Sequence, residues 1–85
     1  MALRALEDKG RISSLVLQPA FVLQEGFYSI SSTRKISEIK YIADFQYIEN
    51  GAVVVEDVKG FKTPVYILKK KMFLKRYPDL IFKEI

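Results

Sequence analysis

Tyr41-Ile42-Ala43-Asp44-Phe45, then Glu49-Asn50-Gly51, then Ala52-Val53-Val54-Val55-Glu56-Asp57-Val58-Lys59-Gly60 are the segments whose reading decides the fold of this chain. The flanking runs are apolar or alternating, as strands are. Asn50-Gly51 is the pair that a tight antiparallel turn favours, because both central positions of that turn need positive φ. The spacing predicts a strand from about Ile39 to Ile48 and a partner from Ala52 to about Lys59, with Asp44 and Asp57 brought close together. Side chains alternate between the faces of a strand, so Asp57 and Lys59 point one way and Glu56 the other. Glu56 is expected to pair with a basic residue or to meet solvent. Gln46 is expected to share the face of Asp44.

Two carboxylates beside an ammonium have a definite chemistry. Carboxylate oxygens are hard ligands suited to Mg²⁺ or Mn²⁺, and Mg²⁺ commonly takes only one or two of them, filling its octahedron with water and phosphate oxygens. A lysine there can orient or deprotonate an attacking water, or offset charge developing on phosphorus. An Asp-x-Lys tripeptide also occurs by chance on solvated strand ends. Asp44 tips the balance, because its neighbours Ile42 and Phe45 read as buried and strands tend to exclude aspartate. The candidate catalytic set is Asp44, Asp57 and Lys59, with Asp44 and Asp57 as metal ligands.

Outward from the hairpin, Gly60 ends the second strand, and Thr63-Pro64 supplies an N-cap followed by proline at the first helical position. Val65, Leu68, Met72 and Phe73 fit the buried face of a helix that stops at Tyr77-Pro78-Asp79. Leu80-Ile81-Phe82 reads as a last strand, buried on both sides if it lies inside the sheet. Upstream, Leu3 and Leu6 before Gly10 predict a short helix. Ile12 to Leu17 and Ala20 to Gln24 read as extended, separated by a bend at Gln18-Pro19 because proline cannot donate to a central ladder. There Gln18 is expected to support irregular backbone. Phe27-Tyr28-Ser29-Ile30 predicts a further short strand. Ser31-Ser32-Thr33-Arg34-Lys35 reads as an exposed loop of the kind that carries binding contacts.

Composition narrows the function classes. The chain has 85 residues, 49% of them apolar, with no cysteine and no histidine. One folded domain over residues 1–85 is expected, and disulfides, thiolate zinc sites, Ser-His or Cys-His nucleophiles and imidazole acid–base chemistry are excluded. No apolar run has the length of a membrane span and the N-terminus lacks a signal-peptide layout, which predicts a cytoplasmic protein. The net charge of +4 is unevenly spread. Lys69, Lys70, Lys71, Lys75 and Arg76 crowd one segment, and Arg34, Lys35 and Lys40 form a looser group. Arg34, Lys35, Lys69, Lys70 and Lys71 are the candidate contacts to a polyanion, since lysine and arginine that neutralise phosphates release counterions. A solvated helix face is the plainer account of the lysine run.

The order of an acid on one strand, a hairpin, then acid-x-Lys on the next resembles the core of the PD-(D/E)XK, or restriction-endonuclease-like, nuclease superfamily. Together with Leu17-Gln18-Pro19, Lys69-Lys70-Lys71 and Arg76-Tyr77-Pro78-Asp79, it looks like a family of small phage and prophage proteins assigned to that superfamily. The resemblance covers nearly the whole chain. It implies an α+β (α/β) fold with a restriction-endonuclease-like core of helix, antiparallel-rich mixed sheet, helix and strand. It further implies that Asp44 is the first metal-binding acid, Asp57 the second and Lys59 the catalytic lysine. Ala43 stands where the superfamily's name has proline. Relatives of this kind carry a longer N-terminal helix whose glutamate joins the metal site, so the chain reads as starting in the later turns of that helix, with Glu7 and Asp8 too near Gly10 to replace it. The expected activity is Mg²⁺- or Mn²⁺-dependent hydrolysis of DNA phosphodiesters in a bacterial host cell. The rival expectation is a non-catalytic DNA-binding or assembly protein on the same fold, and a short first helix would allow homodimers.

Overall fold

The computed structural model describes residues 10–58 and 62–85; the expected Leu3/Leu6 helix, with Glu7 and Asp8, and the expected catalytic Lys59 lie outside these residues. In chain order the elements are β1 (Ser13–Leu17), β2 (Ala20–Gln24), β3 (Phe27–Tyr28), β4 (Lys35–Ile36), β5 (Ile39–Ile42), β6 (Phe45–Glu49), β7 (Ala52–Asp57), α1 (Pro64–Arg76) and β8 (Ile81–Glu84). The fold is α+β. Asn50 and Gly51 both take positive φ, 52° and 77°, and close the β6–β7 hairpin in the register Glu49 opposite Ala52. From β7 the chain crosses through α1 to β8, which runs parallel to β7 as such a crossover permits. The resulting mixed sheet has the order β1-β6-β7-β8.

The expected single strand from Ile39 to Ile48 is two strands. β5 pairs with β2, β6 pairs with β1, and Ala43-Asp44 bends between them. The partner strand breaks at the same level, where Gln18 has φ 53° and Pro19 has no N–H. Two backbone bonds join the breaks: the Gln18 N–H donates to the Asp44 carbonyl at 2.9 Å and the Ala43 N–H to the Pro19 carbonyl at 3.1 Å. One long antiparallel ribbon thus folds over at Asp44. β3 and β4 extend its far end, with Phe27 opposite Ile36 and Tyr28 opposite Lys35. Lys35 therefore belongs to a strand rather than a loop, and the strand expected over residues 27–30 stops at Tyr28.

Helix α1 starts as its sequence dictates. The Thr63 hydroxyl accepts the Tyr66 N–H at 3.1 Å, with Pro64 at the head of the helix, and the Tyr77 N–H closes the last turn on the Phe73 carbonyl at 3.0 Å. The buried stripe differs from expectation. Tyr66 and Phe73 are buried and Met72 packs against the same core, whereas Val65 and Leu68 are 62% and 59% exposed. Rings decide the rotation of the helix. Phe73 is fully buried, with centroids 5.0 Å from Phe21, 5.3 Å from Tyr41, 5.4 Å from Tyr77 and 5.6 Å from Phe82. Aromatic side chains bury the largest areas, so the face carrying them turns inward at the expense of smaller aliphatics. The far face of the sheet carries a smaller core of Ile12, Tyr47 and Val54. β8 lies at the sheet edge and is half exposed, so the place inside the sheet for which burial on both sides was expected is not the one it takes.

Candidate active site

β7 sets the geometry. Alternation sends Val55 and Asp57 toward α1, and Val54 and Glu56 toward the far face. Asp57 is 0% exposed, and its Oδ2 accepts the Tyr41 hydroxyl. Asp44 reaches the same place from the ribbon bend: its Oδ2 accepts the backbone N–H of Val58, the residue after Asp57, at 2.8 Å. The expected convergence of these acids therefore exists at the backbone level, with Asp44 placed by a bend and not by a strand. Strict alternation does not apply across that bend. Gln46 lies opposite Val55, on the α1 side of the sheet that Asp57 also faces. Asp44 also lines a cleft of about 410 Å³ with Gln18, Leu17 and Phe45.

A carboxylate has about four acceptor positions, and the Val58 amide on Asp44 and the Tyr41 hydroxyl on Asp57 each orient the group from one of them. Asp44 and Asp57 are thus two hard oxygen donor groups from different elements, each with a fixed orientation. Among the described residues no cluster of three or more Asp, Glu, His or Cys is arranged to hold a metal. A divalent ion here would rest on these two carboxylates, a set that fits Mg²⁺ or Mn²⁺ with water or phosphate oxygens completing the octahedron.

Beyond Asp57 a polar cluster continues through residues that reading by sequence left out or undervalued. The rings of Tyr41 and Tyr66 lie 6.3 Å apart, and the Tyr66 hydroxyl donates to Glu84 Oε2 at 2.5 Å. Glu84 stands opposite Asp57 in the parallel register, and its carboxylate also takes Lys62 at 2.9 Å and Lys70 at 3.1 Å. Burial, then the hydrogen bond and charge of Asp57, push the Tyr41 phenol far above its ordinary range. Burial and Glu84 do the same to Tyr66. Both phenols therefore stay protonated donors at any working pH. The Glu84 carboxyl is drawn down to about 2, first by the Tyr66 hydroxyl and then by Lys62 and Lys70. Tyr41 could have been found from its place three residues before Asp44. Glu84 had no local signal.

Glu56 corrects the expectation made for it. It is buried and its Oε2 accepts the Tyr47 hydroxyl at 2.7 Å, and among the described residues no basic side chain pairs with it. The basic residues also divide. Lys70 is neutralised by Glu84 and sits 5.6 Å from the Phe82 ring centre. Arg76 clamps β2, donating to the Leu23 carbonyl at 3.0 Å and to Glu25 at 2.6 Å. Lys71, Arg34 and Lys35 are exposed, and Lys69 lines a cleft of about 280 Å³ beside Lys40, Tyr41 and Tyr66.

No helix of the described residues is long and apolar enough to cross a membrane. No curated protein and no solved structure matches the chain. A family does match, described as "Protein of unknown function (DUF1064)", over residues 1–85. Because that match spans the full length of the sequence, the chain belongs to the DUF1064 family.

Proposed function

We propose that this protein is a metal-dependent nuclease of the PD-(D/E)XK type, from phage or prophage, that hydrolyses DNA phosphodiester bonds. The observation that carries the reading is the arrival of the Asp44 carboxylate on the Val58 amide, beside Asp57, from a separate element. The mixed sheet and the β7–α1–β8 crossover are compatible with a restriction-endonuclease-like core. Bound Mg²⁺ or Mn²⁺ would supply Lewis-acid polarisation of a phosphoryl oxygen and a more acidic water. Asp44 and Asp57 hold the ion in this reading. The Val58 amide and the Tyr41 hydroxyl keep their carboxylates oriented. Lys59, by resemblance, orients or deprotonates the attacking water.

The complete burial of Asp57 favours the second reading, a DNA-binding or assembly protein in which the carboxylate is structural. One experiment separates them. Purified chain is incubated with duplex, branched and single-stranded DNA in Mg²⁺, Mn²⁺ or chelator. Metal-dependent cleavage that disappears in Asp57→Ala and Asp44→Ala supports the nuclease. Salt-sensitive binding without cleavage, unchanged in folded Asp57→Ala, sinks it in favour of the second reading.

A further inference from the structure

Residues 26–37, Gly-Phe-Tyr-Ser-Ile-Ser-Ser-Thr-Arg-Lys-Ile-Ser, contain two cations and no acid. They form the β3–β4 arm and its turn, closed by the Ser32 N–H on the Ser29 carbonyl at 3.1 Å. Hydroxyls firm the tip, with Ser29 and Ser31 Oγ atoms 2.9 Å apart and Ser32 Oγ donating to the Arg34 carbonyl at 3.0 Å. On this ordered tip Ile30 is fully exposed and Tyr28 is 76% exposed, with Phe27 and Ile36 also open to solvent. Scattered exposed apolar residues need no explanation, but several on one short arm mark a contact surface.

Charge identifies the partner. At the base of the arm Glu25 is taken up by Arg76 and Glu38 by Lys40, whereas among the described residues no carboxylate pairs with Arg34 or Lys35. The Lys35 stem lies so close to Gly26 that a Cβ there would come within 2.9 Å of its Cε, so the glycine leaves room for the lysine to cross the strand. A second copy docked arm to arm would set the same cations against each other. Duplex DNA offers phosphates to Arg34 and Lys35 and stacked apolar base faces to Ile30 and Tyr28 together. Apolar side chains flanked by Arg or Lys are how many proteins enter a minor groove and part a base step. Position agrees, because the β2–β5 ladder runs from Ala20 opposite Ile42, beside the Asp44 bend, to Gln24 opposite Ile39, where the arm begins. At about 3.3 Å per residue the chain from Lys35 to Asp44 spans at most roughly 30 Å, which keeps the arm and the bend within one turn of duplex.

We infer that the β3–β4 arm grips duplex DNA within one helical turn of Asp44, with Ile30 and Tyr28 wedged at a base step and Arg34 and Lys35 on the flanking phosphates. The inference rests on the DNA reading above. The test uses the full chain with a roughly 30-base-pair duplex labelled at both ends, in chelator, reading anisotropy for affinity and energy transfer for bending across a salt series. Arg34→Ala/Lys35→Ala is expected to lower the slope of log K against log salt by about 1.8, about 0.9 per phosphate. Tyr28→Ser/Ile30→Ser is expected to weaken binding about tenfold, to abolish the bend and to leave the salt slope unchanged. Wild-type binding matched by both variants overturns the arm and leaves the nuclease reading standing. A wild type that neither binds nor cleaves DNA overturns both. Concentration-dependent dimers in light scattering that vanish in Tyr28→Ser/Ile30→Ser, with DNA affinity unchanged, assign the arm to a second copy and overturn the inference.

Discussion

The two faces of β7 bury consecutive acids against tyrosines, Glu56 against Tyr47 and Asp57 against Tyr41, yet only one face looks like a site. On the far face the Glu56–Tyr47 pair sits against the small cluster of Ile12, Tyr47 and Val54. On the helix face Asp57–Tyr41 adjoins Tyr66, Glu84, Lys62 and Lys70, and the Asp44 carboxylate lies on the next peptide. A buried carboxylate with a phenol donor is thus a structural device common to both faces. What separates them is company: the far face sets Glu49 of β6 near Tyr47, where Lys83 takes it up, whereas the helix side lays the Asp44 carboxylate on the peptide that follows Asp57.

The largest effect that sharpens this contrast is on stability. Phe73→Ala should cost about 4 kcal/mol and Ile12→Ala about 2–3 kcal/mol, since the ring leaves the larger void. A domain of this size holds only roughly 4–13 kcal/mol. Chemical denaturation should therefore show a larger drop in the unfolding midpoint for Phe73→Ala than for Ile12→Ala. Equal losses would mean that the helix-side aromatic core is not the dominant one.

Next comes activity. Asp57→Asn is expected to lower metal-dependent cleavage by about two orders of magnitude or more, about 2.7 kcal/mol, while Glu56→Gln leaves it unchanged. Mn²⁺ should raise the melting temperature of the wild type and of Glu56→Gln but not of Asp57→Asn, because a ligand stabilises only the state that binds it. Equal metal-induced shifts in all three would remove Asp57 from the ligand set. In metal-free melts Asp57→Asn should stay near wild type, as the amide oxygen can still accept from Tyr41.

Tyr41→Phe and Tyr47→Phe break the two pairs in parallel. Each should cost about 1–3 kcal/mol, the scale of leaving a buried acceptor without its donor. Only Tyr41→Phe should also weaken Mn²⁺ binding, by about 10–100-fold, as loss of a ligand's orienting partner does. A similar loss of Mn²⁺ affinity in Tyr47→Phe would show that it follows from general loosening of the sheet.

The smallest effect lies at the edge of the cluster. Glu84 titrates at about 2 in the folded chain against 4.5 for a free glutamate, so its contribution to stability is fully present above about pH 4.5 and is lost as pH falls toward 2. Melting temperatures of Glu84→Gln should therefore decline less steeply than those of the wild type across that window. Parallel declines would mean that Tyr66, Lys62 and Lys70 do not favour the charged form.

The legible parts of the fold are those settled by a few adjacent residues. Asn50-Gly51 specified its turn, Thr63-Pro64 the start of α1 and Pro78 its stop, because each acts on backbone angles or donors within a turn of itself. Val65 and Leu68 misled because two stripes on α1 satisfy a helical period, and only the rings of Phe21, Tyr41 and Phe82 select the one with Tyr66 and Phe73. The β3–β4 pairing of Lys35 was hidden for a different reason, since two-residue strands carry no period at all.

For the candidate site the division is similar. The sequence by itself determined that histidine and cysteine chemistry are absent and that Asp44 and Asp57 flank one hairpin, since composition and turn chemistry are local facts. Tertiary structure decided the rest: the ribbon fold-over that lays Asp44 on the Val58 amide, the parallel return of β8 that sets Glu84 beside Asp57, and the capture of Lys70 and Arg76 by carboxylates. These depend on contacts between residues far apart in the chain. Whether a buried charge or a surface lysine is available for chemistry is set by what packs against it, and no local pattern encodes that.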